Sequence, residues 1–421
     1  MSTLILAFTD PLLWQVLMPF LVYLAAAWCV YLIKLGRSAL YRPFPRPVGF
    51  SYPSLSVIIP VYNEAPEVWE RVLDGIGNAC RELRHEIIIV PNGKNAEQNA
   101  VAAERRGYRV HRLTDASKRK AIALGAGLAR NEISVILDSD TLVPEDALHK
   151  VLWPFADAGI GGVTPRHVIA QRQRFWRRIS DWLEDNRFNE LVRGQSVGRA
   201  VSCLPGRLFA MRTAPLKDAA PALAAQRFLG ALCISGDDRF LTSWLLSHGY
   251  QAVYQSTSVV YTEAPDSFIG FLKQRLRWSR GSFRGTLVSL RWLWRFPYTA
   301  FTLLSTIALR WCLFGLLVYG ITNGNLATLA DRATALMPTM ADATWLAALA
   351  GFALFLLGAL PKRLRHLCTH PYDTWFYPFF LVAAIGILTP LEWYGNITCW
   401  KQGWLTRTKQ HKAATGALQA G

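Results

Sequence analysis

Apolar and polar positions follow two regimes along this chain. Between Tyr52 and about Asp266, short unbroken apolar runs alternate with stretches whose apolar residues recur at helical spacing. Ser54–Val61, Glu86–Val90 and Ile133–Leu137 read as strands buried on both faces, since a half-exposed strand would alternate. Ala65–Ala79, Ala96–Arg106 and Ser117–Ala129 read as helices, Tyr108–Leu113 as a weaker strand and Pro91-Asn92-Gly93 as a turn. Strands alternating with helices predict an α/β domain with a mostly parallel sheet. Ligands in such sheets bind beyond the carboxyl ends of the strands.

Elsewhere the apolar runs are longer. Pro11–Ile33 holds 23 residues without a charge, enough to cross about 30 Å at about 1.5 Å per residue. Lys34, Arg37, Arg42 and Arg46 follow, which predicts an anchor with the chain from residue 50 onward in the cytoplasm. No basic stretch precedes the run, so it reads as an anchor rather than a cleaved signal. Pro297–Thr322, Thr344–Leu360 and Thr374–Thr389 are further apolar segments. The basic loop Lys362-Arg363-Leu364-Arg365 belongs inside, and the loop 323–342 outside. Pro390 and Glu392 interrupt the last segment, which therefore reads as re-entrant or flat, with the basic tail inside. Arg310 stands in the middle of an apolar span; it either faces protein, water or a passing polar ligand, or snorkels to the interface. A polymer channel would use such an arginine.

The expected organisation is an anchor over 1–36, a cytoplasmic domain over 37–266, an interfacial helix over 267–296, a channel region over 297–397 and a tail over 398–421. That amounts to about four transmembrane or re-entrant helices in a multi-pass protein of the inner (plasma) membrane. Gln171–Arg193 combines Arg172, Arg174, Arg177 and Arg178 with Phe175, Trp176, Trp182 and Phe188, a pattern suited to a helix lying on a lipid surface. Nucleic acid is the rival partner for such a stretch, and membrane spans on both flanks set it aside. The net charge of +17 fits the basic cytoplasmic flanks of a membrane protein, with an anionic ligand as the other reading. The seven cysteines are scattered, without a Cys-x-x-Cys pair or a histidine cluster, which argues against zinc and for a reducing compartment.

Four motifs carry chemistry. Asp138-Ser139-Asp140 places two carboxylates just after an apolar strand, hard oxygen ligands for Mg²⁺ or Mn²⁺ against a diphosphate; the plainer role is to cap the next helix. Lys118-Arg119-Lys120 opens a helix, where anions are favoured, or forms a solvated basic face. Ser235-Gly236-Asp237-Asp238-Arg239 leads into a helix, and one of its carboxylates can act as general base toward a sugar hydroxyl. A base opposite the leaving group gives one in-line displacement with inversion. In Gln274-Arg275-Leu276-Arg277-Trp278, residues 274, 277 and 278 share a helical surface; arginine can clamp a diphosphate and tryptophan can stack on a sugar.

In this order the motifs resemble the membrane-integrated family 2 glycosyltransferases, the hyaluronan, cellulose and chitin-type synthases. The resemblance runs from about Leu55 to Arg284, with Trp404-Leu405-Thr406-Arg407 near the C-terminus. Gly236-Asp237-Asp238-Arg239 with Leu241-Thr242, followed by Tyr254-Gln255-Ser256-Thr257, most resembles hyaluronan synthases and related capsule synthases. It implies a GT-A domain on interfacial helices above a short channel. It implies UDP-sugar donors, a growing polysaccharide as acceptor and lipid as surroundings, and leaves oligomeric state open. By the same resemblance Tyr62 and Glu64 contact uridine, Lys118 the nucleotide, Asp138 and Asp140 nucleotide and metal, and Asp238 is the base. Gln274, Arg275, Arg277 and Trp278 form the gate and acceptor end, with Arg275 and Arg277 also toward the nucleotide. Asp237, Cys203 and Gly206 fall on the acceptor side, and Trp404 and Arg407 close over the nucleotide. Two segments depart from the pattern: Pro91-Asn92-Gly93 stands where Asp-Asp-Gly is usual, leaving Asn92 to bond the base, and the acceptor segment reads Cys203-Leu204-Pro205-Gly206-Arg207. The implied activity is a processive, inverting synthase of a β-linked, hyaluronan-like or other uronic-acid polymer. The alternative is a transferase that adds one sugar to a lipid.

Overall fold

The computed structural model describes residues 11–93, 95–323 and 359–403. The chain forms two compact units: Ser38–Thr299 with the segment from Tyr394, and a helical unit made of the chain up to Arg37 with Ala300–Trp393.

The first unit is built on an eight-stranded sheet. Its strands are β1 (Leu55–Tyr62), β2 (His85–Asn92), β3 (Arg109–Val110), β4 (Ile133–Leu137), β5 (Thr141–Leu142), β6 (Ile160–Ile169), β7 (Leu208–Arg212) and β10 (Gln251–Thr262); β8 (Arg227–Phe228) and β9 (Ala231–Leu232) make a separate hairpin. The order is β3-β2-β1-β4-β7-β6-β10-β5. The four strands expected from the sequence form one parallel block, β3-β2-β1-β4. β7 runs antiparallel between β4 and β6, and β6 and β10 are again parallel. β1 and β4 are buried along nearly their whole length, which is why both read as unbroken apolar runs. One core cluster lies around Val57, Ile59, Trp69, Ile89, Val135 and Leu148, the other around Ile58, Ile88, Ile122, Ile136, Phe209 and Leu245. The alternation of β1 residues between the two follows the period-2 geometry of a strand.

Three expectations change. Pro91 and Asn92 are not a turn: β2 continues through them, with Val61 opposite Pro91 and Tyr62 opposite Asn92. Pro91 gives up only its donor, and its carbonyl still accepts the Leu113 N–H at 3.0 Å. The turn begins at Gly93, whose φ of +90° suits glycine. The weaker strand shrinks to Arg109–Val110. The stretch 171–193 is not one surface helix. It is helical from Phe175 to Asn186 and widens into a π turn over Arg187–Val192. Trp182 and Phe188 are buried within the protein rather than turned to lipid.

In the helical unit, Met18–Ala39, Pro297–Thr322 and Tyr377–Ile397 are long and apolar enough to cross a membrane, the first and the last two running a few residues beyond the unit itself. Pro390 does not interrupt the last of these. A π turn over Ala383–Leu388 absorbs the missing N–H, and Thr389 Oγ1 donates to the Ala384 carbonyl at 3.1 Å. Arg310 pairs with Glu392 at 2.6 Å, so it faces protein, and its carbonyl accepts from Trp393 Nε1 at 2.9 Å. Most of the expected segment Thr344–Leu360 lies outside the described residues.

Candidate active site

The site lies past the carboxyl ends of β1, β2 and β4, where the sheet changes from parallel to antiparallel. β4 ends at Leu137 and delivers Asp138; the Asp138 N–H donates to the Arg207 carbonyl at 2.9 Å, which ties it to the segment entering β7. Ser117 caps the helix Lys118–Leu128, its side chain accepting from the Lys120 N–H. The cap puts Lys118 at the first turn, facing Asp138. Lys118 Nζ meets Asp138 Oδ1 at 2.5 Å and Asp237 Oδ2 at 3.3 Å. Burial opposes the Lys118 charge, but Asp138 and Asp237 more than offset it and raise the ammonium above its ordinary range.

The helix Asp237–Ser247 begins at Gly236, in a left-handed conformation with φ +82°. Asp238 is held by main-chain donors. Its Oδ2 accepts the Gly206 N–H at 3.2 Å, its Oδ1 the Arg239 N–H at 2.7 Å, and Cys203 Sγ lies 3.7 Å from Oδ2. A Cβ on Gly206 would sit 3.3 Å from Lys118 Nζ and 3.6 Å from both Asp237 Oδ2 and Asp238 Cβ. One backbone position thus touches the lysine and both carboxylates of the Gly-Asp-Asp motif. Asp237 faces Lys118, which it shares with Asp138.

Asp140 belongs to the same charge cluster. Burial and then the neighbouring Glu64 push its carboxyl up to about 6, against Arg207 and Lys118. Burial likewise pushes Asp138 up to about 6, opposed by Lys118. Hard carboxylate oxygens crowded by buried like charge fit a divalent cation, which removes the repulsion that otherwise favours a proton. Glu64 is fixed at the edge of this group by Ser139, whose Oγ donates to Glu64 Oε1 at 2.8 Å. Tyr62 ends β1 opposite Asn92, and its ring covers Gly93, where a Cβ would come within 2.3 Å. Asn92 is buried, and neither its Oδ1 nor its Nδ2 has a hydrogen-bond partner among the described residues. A buried amide with unused donor and acceptor beside an aromatic ring matches the edge and face of a nucleobase.

The helix Phe268–Leu293 supplies the remaining group. Burial draws Arg277 below the ordinary guanidinium range, and the charges of Asp237, Asp138, Asp238 and Asp140 oppose this. Trp278 has the Arg207 guanidinium 5.2 Å and the Arg275 guanidinium 4.9 Å from its ring centroid. Gln274 Oε1 is buried without a hydrogen-bond partner. Trp404 and Arg407 lie outside the described residues. Arg310 belongs to the helical unit.

Sequence reasoning missed the arginines that set the Gly-Asp-Asp loop. Arg119 donates to the carbonyls of Leu223 at 2.9 Å and Ser235 at 3.1 Å, and to Gln226. Arg284 donates to the same Ser235 carbonyl at 3.2 Å and to the Cys399 carbonyl at 3.1 Å. Arg119 was hidden in a Lys-Arg-Lys run. Its offsets of three and seven from Ile122 and Ala126 are the available signal that it lies on the buried helix face.

A mostly parallel sheet with carboxylates at its switch point and a basic aromatic helix beside them defines a glycosyltransferase domain of the GT-A type. Residues 53–281, more than half of the chain, match the family described as Glycosyltransferase like family 2, and the chain belongs to that family. A hyaluronan synthase of Streptococcus pyogenes is 28% identical over 389 residues, covering 90% of this chain and 88% of that protein. An N-acetylglucosaminyltransferase of Mesorhizobium japonicum is 29% identical over 258 residues, covering 59% of this chain and 60% of that one. Among solved structures, a mannosyltransferase of Pyrobaculum calidifontis in complex with GDP-Man and Mn²⁺ superposes with a TM-score of 0.60 at 19% identity, covering 92% of this chain and 99% of that one, a likeness of fold.

Proposed function

We propose that this protein is a processive, inverting glycosyltransferase that polymerises a β-linked polysaccharide from UDP-sugars on the cytoplasmic side of a membrane and moves the product outward. The observation that carries the reading is the meeting of Lys118, Asp138, Asp237 and Asp238 around Gly206. Membrane-capable helices and likeness to a hyaluronan synthase over nearly its whole length support the polymer and the membrane.

In this reading Tyr62 and Asn92 take the uracil, and Lys118 and Arg277 bind the diphosphate. Asp138 and Asp140 would hold Mg²⁺ or Mn²⁺, which supplies charge to offset that developing on the leaving diphosphate. Asp238 takes the proton of the acceptor hydroxyl as that oxygen attacks the anomeric carbon. Main-chain N–H groups of Gly206 and Arg239 hold its carboxylate in place, so little reorganisation is needed when the proton moves. Gln274 and Trp278 receive the acceptor sugar.

The test is to incubate the purified full chain in lipid with Mn²⁺ and UDP-sugars, singly and in pairs, then size the product and digest it with linkage-specific lyases. A high-molecular-weight smear formed only with the right donor or pair is expected. A single lipid-soluble product carrying one sugar contradicts the polymerase.

A further inference from the structure

Arg207 has a backbone role already described, and its side chain, which opposes the rise of the Asp140 carboxyl, has no part in the mechanism above. Its position is central: its carbonyl holds the Asp138 N–H, and the N–H of the preceding Gly206 holds Asp238. The side chain therefore starts midway between the candidate cation ligands and the candidate base. It is 9% exposed, and its guanidinium lies over Trp278.

Three arginines around the site are satisfied by main-chain oxygens. Arg119 and Arg284 clamp carbonyls, and Arg212 donates to the carbonyls of Ile160, Phe155 and Asp157. Arg207 is different. Its ion-pair partner among the described residues is Glu184, with Nη1 to Oε2 at 3.4 Å, and Nη1 makes no hydrogen bond. Arg187 draws on the same Glu184 oxygen at 3.2 Å. Burial alone would raise the Glu184 carboxyl, yet Arg207, Arg187 and Arg275 hold it at about 2, so it remains a single negative charge shared among arginines. A guanidinium carries five donors in a planar fork, and burial without acceptors is unfavourable. Beside it stands the Trp278 ring; one turn earlier on the same helix, Gln274 Oε1 is a buried acceptor without a hydrogen-bond partner. An aromatic face with an underused guanidinium over it matches a sugar ring that carries a carboxylate.

We propose that Arg207 reads the carboxylate of an acidic sugar at the acceptor end, so that the site takes a uronate-terminated chain in preference to a neutral one. The assignment rests on the acceptor side of the polymerase reading above.

Binding and extension of a β-linked oligosaccharide ending in glucuronate, beside the same oligosaccharide with its carboxyls reduced to alcohols, test this on the purified full chain. The wild-type protein should favour the acidic acceptor at least about tenfold, the scale of one charge-assisted bidentate contact. Arg207→Met should lose affinity for the acidic acceptor alone and remove the preference. Arg207→Lys, which keeps charge without the fork, should retain part of it. UDP affinity, measured in each variant, reports folding and the donor side and should stay within about twofold. Equal loss for both acceptors assigns Arg207 to packing, and lost UDP affinity in both variants assigns it to the diphosphate; either overturns the proposal. No acidic preference in the wild-type protein also overturns it. Acidic preference in binding with no chain extension would keep Arg207 as the reader and sink the polymerase reading instead.

Discussion

The two halves of the sheet hold their carboxylates by different means. In the parallel half, Asp138 at the end of β4 is held mainly by another side chain, Lys118, which also reaches Asp237. In the antiparallel half, Asp238 is held by main-chain N–H groups, and the loop before it is fixed by Arg119 and Arg284 on the Ser235 carbonyl. An ion pair between side chains can open when a cation and a diphosphate arrive, because both partners find new counter-charges. Main-chain bonds cannot exchange in that way without refolding the loop. The donor side is thus built to rearrange and the acceptor side to stay still, as a base that must meet a hydroxyl in one orientation requires.

The sharpest way to break this contrast is Asp238→Asn. It should lower transfer by about 10²–10⁴-fold while UDP still binds, since it removes a proton acceptor and leaves the donor side intact. Retained transfer would remove Asp238 as the base. Next in size, Arg284→Met should leave the Cys399 carbonyl without this donor, at about 1–3 kcal/mol for a buried group, and leave the Ser235 carbonyl to Arg119 alone. A lowered Tm and a kcat loss larger than any change in UDP affinity would locate the damage in the fixed half; an unchanged kcat would deny the loop its positioning role.

A smaller effect concerns pH. Burial first, with Glu64 adding at Asp140, pushes the carboxyls of Asp138 and Asp140 up to about 6 in the cation-free protein, above the unfolded value of about 3.9. The folded chain therefore binds those protons more tightly than the unfolded chain. This contribution to stability is complete below the unfolded value and is lost as pH rises through about 6. Mn²⁺ should replace it, raising Tm more at about pH 7.5 than at about pH 5. An equal rise at both would separate the cation from these groups. Smallest of all is Arg106→Ala, which removes exposed pairs with Glu70 and Asp74 and should cost about 0–1 kcal/mol without altering transfer.

The same contrast explains what could be read from the sequence. The parallel half was legible because β1, β2 and β4 are buried on both faces and spell unbroken apolar runs. β6 and β10 were not, since Gly161, Gly162, Pro165 and His167 break one and polar residues such as Gln255 and Ser258 interrupt the other. Asp138, Asp140, Lys118 and the Gly-Asp-Asp motif stood out as charges beside apolar runs or glycine. The pairing of Glu184 with Arg207 did not, because a buried ion pair drawn from two distant segments leaves no local pattern. Trp182 and Phe188 were read toward lipid because the basic residues among them resemble a surface helix. In the fold, several of those arginines turn back to carboxylates: Arg172 to Asp181, and Arg174 and Arg177 to Asp266.

The central claim is that Asp138 and Asp140 hold a cation against a diphosphate while Asp238 stands apart as the base. Calorimetric titration of UDP with and without Mn²⁺ tests it, on the wild-type chain, Asp140→Asn and Asp238→Asn. Mn²⁺ should tighten UDP binding in the wild-type and Asp238→Asn proteins and fail to do so in Asp140→Asn. Mn²⁺-enhanced binding that survives in Asp140→Asn, or vanishes in Asp238→Asn, would contradict the account.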